Sequence, residues 1–350
     1  MSFLLLLFPI VFLILVLRWL RPRNERFSSC DAATSFLQKS SFEERASANQ
    51  SIRRAFEIVN PFVVGDKAFH DEYVKLVQRR LTLKTRNWSD IVQAAKTTRD
   101  QLQFTSVEEI RNGVCAIVMT ISLTIVGVNG YQTDGLLKAG QLIDRIWTDV
   151  KEGKDTELER RELYSVIRNW EGDSFINDLA RLSNVPHECA ILSILIPAYE
   201  TMYRVALPTL FHAHGTITFA PFLQSDIGYH SLALETQVGY PYLALVKETL
   251  RCYPVVKRIK RAAGHHKKSI DIEAIHRQGW ENPEKFDPSR WTRGKQGSFM
   301  AFGAGTGRCI ANERVVGVVA GIVIALIEQE IRARFDRNEL QELVNNGRGK

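Results

Sequence analysis

Near its C-terminus the chain reads Phe302-Gly303-Ala304-Gly305-Thr306-Gly307-Arg308-Cys309, a glycine-rich stretch that closes on one cysteine and precedes a long apolar run. Glycine lets a backbone take positive φ and pass close to a flat partner. A cysteine just ahead of a helix feels the positive end of the helix dipole, which favours the thiolate. Several chemistries compete for such a loop. As a thiolate bedded in bare backbone beside an aromatic ring, Cys309 could ligate haem iron. As a hydrolase nucleophile it would need a histidine to orient it, and nothing nearby does so. A dinucleotide fingerprint should read Gly-x-Gly-x-x-Gly after a strand. This loop reads Gly-x-Gly-x-Gly, and the acid some way on, Glu328, ends an apolar helix instead of a second strand. It also lacks the Gly-Lys-Ser/Thr of a phosphate loop.

Three further groups carry chemistry. Pro197-Ala198-Tyr199-Glu200-Thr201 sits in the apolar segment 189–210. Proline inside a helix frees a backbone carbonyl, here near Ser193, and leaves an opening where a water or ligand could sit. Burying Glu200 there is costly unless it is paired or has a job. Glu248 and Arg251 stand three apart in a helix over residues 242–252, which puts both on one face. Residues 280–291 form a proline-stiffened stretch with Trp280, Phe286, Arg290 and Trp291, of the kind that folds over a core. His212, His214, His265 and His266 lack a nearby carboxylate or cysteine to complete a metal site.

The elements that must position these groups read mainly as helices. Residues 69–83 have apolar positions at helical spacing and a basic outer face. Ser106-Val-Glu-Glu resembles a capping box and opens a buried helix over 107–123. Residues 136–150 are amphipathic, 151–161 read as a charge-dense exposed turn or helix end, and 315–327 as a buried core helix. Only residues 269–275 alternate clearly, which predicts a short strand. The class is therefore mainly α with small β sheets (α+β). Residues 3–17 carry no charge and are followed by Arg18, Arg21, Arg23 and Arg26. This predicts an uncleaved anchor helix with the body of the protein in the cytoplasm. A cleaved signal peptide is the rival, disfavoured by the missing basic n-region and cleavage site. On that topology the sequons at Asn49 and Asn87 are chance matches.

With 350 residues, 45% hydrophobic and 24% charged, the chain can bury a sizeable core and is not disordered. Its net charge of +7 comes from scattered basic residues that do not interleave with aromatics, which argues against nucleic acid and for a membrane surface or an acidic partner. Five cysteines, far apart and odd in number, make neither a disulfide framework nor a zinc site.

Taken in order and rough spacing, Ala198-Tyr-Glu200-Thr201, Lys247-Glu248-Thr-Leu-Arg251, Phe286-Asp-Pro-Ser-Arg290-Trp291 and Phe302 to Cys309 resemble the haem-thiolate monooxygenases, the cytochrome P-450 superfamily. The likeness is specific over residues 189–335, in wording nearest to fungal members, and the anchor is similar to that of the microsomal branch. It implies a cytochrome P-450-like haem-thiolate fold, shortened and incomplete, with a transmembrane anchor over 1–22. The single haem-binding catalytic domain would run over 23–350, its part 23–188 divergent and its part 189–350 holding haem. Cys309 would be the axial ligand of haem b iron. Phe302 would pack beside the loop, with Gly305 and Arg308 in the cofactor site. Arg258, or secondarily Arg261, would meet a propionate. Glu248, Arg251 and Arg290 would form a structural ion network, and Glu200 and Thr201 would relay protons to iron-bound dioxygen.

The same resemblance implies a monooxygenase that puts one oxygen atom of O2 into an apolar small molecule, such as a terpenoid or polyketide secondary metabolite. Electrons would come from NADPH through an NADPH-cytochrome reductase, with cytochrome b5 as a second donor. Basic residues within 69–80 are the candidate docking face. The setting would be the endoplasmic reticulum membrane, single-pass, with a cytoplasmic catalytic domain. The sequence departs from the family at Gly307, where a basic residue is usual, and at Ala311, where glycine is. The alternative is a non-catalytic, membrane-anchored remnant that binds haem or partners.

Overall fold

The computed structural model describes residues 25–81, 85–213, 240–263, 266–293, 297–336 and 338–341. The expected anchor, residues 1–22, and His214 and His265 lie outside them. In chain order, β1 (Glu25–Phe27) leads to the short helices α1 (Cys30–Lys39), α2 (Phe42–Ala48) and α3 (Gln50–Phe56), then to α4 (Lys67–Arg80) and α5 (Thr85–Asp100). Helix α6 (Val107–Val126) is followed by β2 (Val128–Asn129), α7 (Thr133–Lys151), α8 (Glu157–Ile167), β3 (Glu171–Gly172) and α9 (Ser174–Ser183). The site-bearing half holds α10 (His187–Ala213), α11 (Tyr240–Cys252), β4 (Arg258–Ala263), β5 (His266–Asp271), α12 (Ile272–His276) and α13 (Asn312–Arg334).

The core is built on α6, α10 and α13. Helix α6 starts at Ser106, whose hydroxyl accepts the Glu109 N–H at 3.2 Å, and stops at Gly127, where φ is +76°. Between these caps residues 113–123 are all buried. A helix apolar on every side belongs inside a protein or a membrane. By length and composition α6 and α10 would pass for membrane spans, but 78% of each apolar window is buried within the fold, so both are core helices here.

Proline at position 197 does not leave an opening. The Ser193 carbonyl, which loses its helical donor to Pro197, accepts Asn60 Nδ2 at 3.0 Å and the Tyr73 hydroxyl at 3.3 Å. Ser193 Oγ accepts the Val59 N–H at 3.0 Å and donates to the Cys189 carbonyl at 2.7 Å. This point of α10 is thus a docking site for α4 and the segment after α3. A buried carbonyl demands a partner, and the chain supplies two.

The larger described sheet has the order β1-β5-β4: β1 runs parallel to β5, and β4–β5 is a hairpin that pairs Arg258 with Asp271. The strand expected over 269–275 is cut at Asp271. There the Asp271 carboxylate accepts the Ala274 N–H at 3.1 Å and caps α12, so Ile272 to His276 turn helical and continue the apolar face by a different period. Ala33, Leu37, Ile270, Ile272, Ile275 and Met300 form a second small core, which fixes α1 against the hairpin and against the chain leading to the cysteine loop.

Candidate functional site

Glu248 of α11 is fully buried, a position tolerable only because five N–H groups converge on its carboxylate. Arg251, three residues on, donates Nε to Oε2 at 2.9 Å and Nη2 to Oε1 at 2.8 Å. Arg290 Nε reaches Oε1 at 3.0 Å, the Asp287 N–H reaches the same oxygen at 2.8 Å, and Trp291 Nε1 reaches Oε2 at 2.9 Å. Further guanidinium hydrogens go to loop carbonyls. Arg251 Nη1 donates to Pro283 at 2.6 Å, and Arg290 donates to Glu281 at 2.9 Å and Lys285 at 2.8 Å. Both guanidinium groups also face the Trp280 ring, at 5.7 and 5.6 Å. Three side chains therefore nail the irregular stretch 280–291 onto one face of α11.

The cysteine loop follows directly. The Gly303 N–H donates to the Met300 carbonyl at 3.0 Å, and the Cys309 N–H closes the loop on the Phe302 carbonyl at 2.8 Å. Gly303 and Gly305 stand at φ +68° and +64°, a region that side chains strain. A Cβ on Gly305 would also sit 3.2 Å from the backbone of α1 at Leu37 and Gln38. Phe302 packs half-buried against the main core. Cys309 is exposed, and so is Arg308.

Two arginines far apart in sequence meet behind this loop. A Cβ on Gly307 would lie 3.2 Å from Arg261 Nη2 and 3.6 Å from Arg45 Nη1. Arg45 is 5% exposed and Arg261 7%. Among the described residues Nε and Nη2 of Arg45 and Nε of Arg261 have no hydrogen-bond partner. Burial, and then the charge of Arg261, push the Arg45 guanidinium down to about 10; burial also lowers Arg261. Two buried cations of like sign with unfilled donors form a receptor for an anion. Arg45 carried no sequence signal, because nothing near it in the chain marks it out. Arg258, four residues from the end of the Tyr253-Pro254 turn and at the start of β4, is exposed.

Glu200 and Thr201 engage their own helix. Glu200 Oε2 accepts Arg204 Nη2 at 2.7 Å, while Oε1 is buried without a partner among the described residues. Burial raises the Glu200 carboxyl to about 7; Arg204 opposes the shift and Asp144 of α7 adds to it. Thr201 Oγ1 donates to the Pro197 carbonyl at 2.7 Å. On α10, Pro197, Glu200, Thr201 and Arg204 form a half-buried stripe, whereas Tyr199 and Tyr203 are buried. The basic face of α4 is largely paired: Lys67 with Asp71, Lys75 with Glu72, and Arg80 with Asp173 at 2.8 Å.

Residues 231–311 match the family model described as cytochrome P-450. Thromboxane-A synthase of Mus musculus is 34% identical over 116 residues, 27% of this chain and 20% of the relative. Cytochrome P-450 3A6 of Oryctolagus cuniculus is 26% identical over 186 residues, 45% of this chain and 36% of the relative. The chain thus aligns with about a fifth to a third of the length of these curated relatives. Among solved structures, cytochrome P-450SP alpha in complex with (R)-ibuprophen gives a TM-score of 0.62 at 14% identity, covering 88% of this chain and 83% of that one. A six-coordinated cytochrome P-450 from Thermus thermophilus gives 0.58 at 15% identity, covering 87% and 83%.

Proposed function

We propose that this chain, whose residues 231–311 match the cytochrome P-450 family model and whose fold is similar to that of solved cytochromes P-450, is a membrane-anchored haem-thiolate monooxygenase acting on an apolar small molecule, a terpenoid or polyketide being the first class to try. The observation that carries the reading is the pair Arg45 and Arg261 behind Gly307. A haem b propionate is the anion that would fill those donors, since a guanidinium suits a carboxylate. Gly307, where the family usually has a basic residue, leaves room for them to approach. This reading gives the propionate to Arg261 and Arg45 in preference to the exposed Arg258 and Arg308.

Cys309 would hold the iron from an exposed loop whose fold is set by Gly303 and Gly305 and whose approach to α1 leaves no room for a side chain at 305. When bound, the haem supplies the oxygen-activating chemistry. This chain's own residues would position the loop and handle protons. The Glu248 network holds stretch 280–291, and with it the entry to the loop, in one place. Glu200, with its carboxyl near neutrality, can hold or release a proton at Oε1 at working pH. The Thr201 hydroxyl, donating to Pro197, keeps its lone pairs available to accept one. Electrons would come from NADPH by way of an NADPH-cytochrome reductase, with cytochrome b5 as a second donor, at the endoplasmic reticulum membrane through a residue 1–22 anchor. Haem-loaded protein mixed with reductase should consume NADPH and place one oxygen-18 atom from labelled O2 into a member of a panel of apolar substrates. Folded, haem-loaded protein that consumes no NADPH with any of them would contradict the reading.

A further inference from the structure

His276 ends α12 and is 1% exposed. Met300 Nitrogen lies 2.9 Å from Nε2, and the Arg251 carbonyl lies 3.2 Å from Nδ1. A backbone N–H only donates and a carbonyl only accepts, so both contacts are satisfied by one state alone: neutral imidazole with its proton on Nδ1. The ring also stacks on Phe299, with centroids 5.2 Å apart and planes 20° apart. Each contact leads somewhere. Arg251 is the residue that grips Glu248 with two bonds. Met300 accepts the Gly303 N–H at the first turn of the cysteine loop. A continuous run of bonds therefore joins the buried carboxylate of α11 to the loop of Cys309, and His276 is its middle link.

We propose that His276 is a positioning residue: its neutral ring fixes the chain at Met300 and thereby sets where the Cys309 loop stands relative to α11. The proposal rests on the reading of Cys309 as the iron ligand. It assigns the two ring nitrogens different work, since the Nε2 contact holds the loop and the Nδ1 contact only holds the ring.

Glutamine and asparagine separate the two roles, because a glutamine amide reaches the place of Nε2 and an asparagine amide the place of Nδ1. The full chain is made as His276→Gln and His276→Asn. Amide hydrogen exchange at Met300 is read without haem, and the spectrum of the reduced carbon monoxide complex is read with it. His276→Gln should keep Met300 protection and the red-shifted Soret band of thiolate-ligated haem. His276→Asn should lose protection by about tenfold or more, the scale of one local contact opened, and lose part of that band. Variants that behave alike, whether both keep these signals, both lose them or both fail to fold, would overturn the proposal. Should wild type lack the thiolate band while the exchange difference between the variants persists, the ligand assignment of Cys309 falls and the clamp stands.

Discussion

Glu248 is the side chain on which most depends, and the effect of removing it follows from its surroundings. Glu248→Ala strands Arg251 and Arg290, both buried, with no carboxylate between them. Breaking a buried pair in this way costs about 3–5 kcal/mol. Denaturant unfolding of the haem-free chain should show a loss of that order, while Glu248→Gln, which keeps shape and one acceptor, should lose less. Glu200 behaves in the opposite sense to most carboxyls. Its folded pKa of about 7 lies above its ordinary value, so its contribution is fully present below that ordinary value and is lost as pH rises through about 7. Glu200→Gln should therefore gain stability relative to wild type between pH 5 and pH 8, by up to about 3 kcal/mol, measured as the difference between the two pH profiles. His276 has the reverse dependence. Burial, with Arg251 beside it, lowers its pKa to about 4, so its contribution holds above its ordinary value and fades as pH falls toward 4.

At the scale of elements, the proline-197 turn of α10 is a joint between helices. Asn60 and Tyr73 satisfy the Ser193 carbonyl that Pro197 releases. Asn60→Ala should cost about 1–3 kcal/mol in unfolding free energy, the price of a weakened buried acceptor, and Tyr73→Phe less, since Asn60 would remain. The proline and its freed carbonyl were legible in the sequence. Their partners were not, because a carbonyl can be met by any donor the fold brings near. The same division runs through the site. The spacing of Glu248 and Arg251 announces one helix face, whereas the Asp287 N–H and the Trp291 indole reach that carboxylate only once stretch 280–291 has folded back. Long apolar runs marked α6, α10 and α13, and an amphipathic pattern marked α7. The alternation at 269–275 misled at its end, since Asp271 reads as a polar strand position yet serves as a helix cap. Arg45 and His276 had no local pattern at all; they matter through contacts made across the fold.

For the molecule as a whole, the protein without haem carries a built-in cost. Arg45 and Arg261 are buried with like charge and, among the described residues, with unfilled donors. Replacing one of them by an apolar residue should help the haem-free fold and harm the loaded one. Arg45→Leu is expected to raise the unfolding free energy of the haem-free chain by about 1–2 kcal/mol and to weaken haem retention in a titration. Conversely, added haem should raise the melting temperature of wild type more than that of Arg45→Leu. These effects are secondary to one question, whether Cys309 is the sulfur that holds the iron. The full chain, loaded with haem and reduced under carbon monoxide, should show the red-shifted Soret band of thiolate ligation. Cys309→Ala should abolish it, and Cys252→Ala, which removes the half-buried cysteine next to Arg251, should leave it in place. A folded, haem-loaded wild type without that band, or a band that survives Cys309→Ala, would contradict the account.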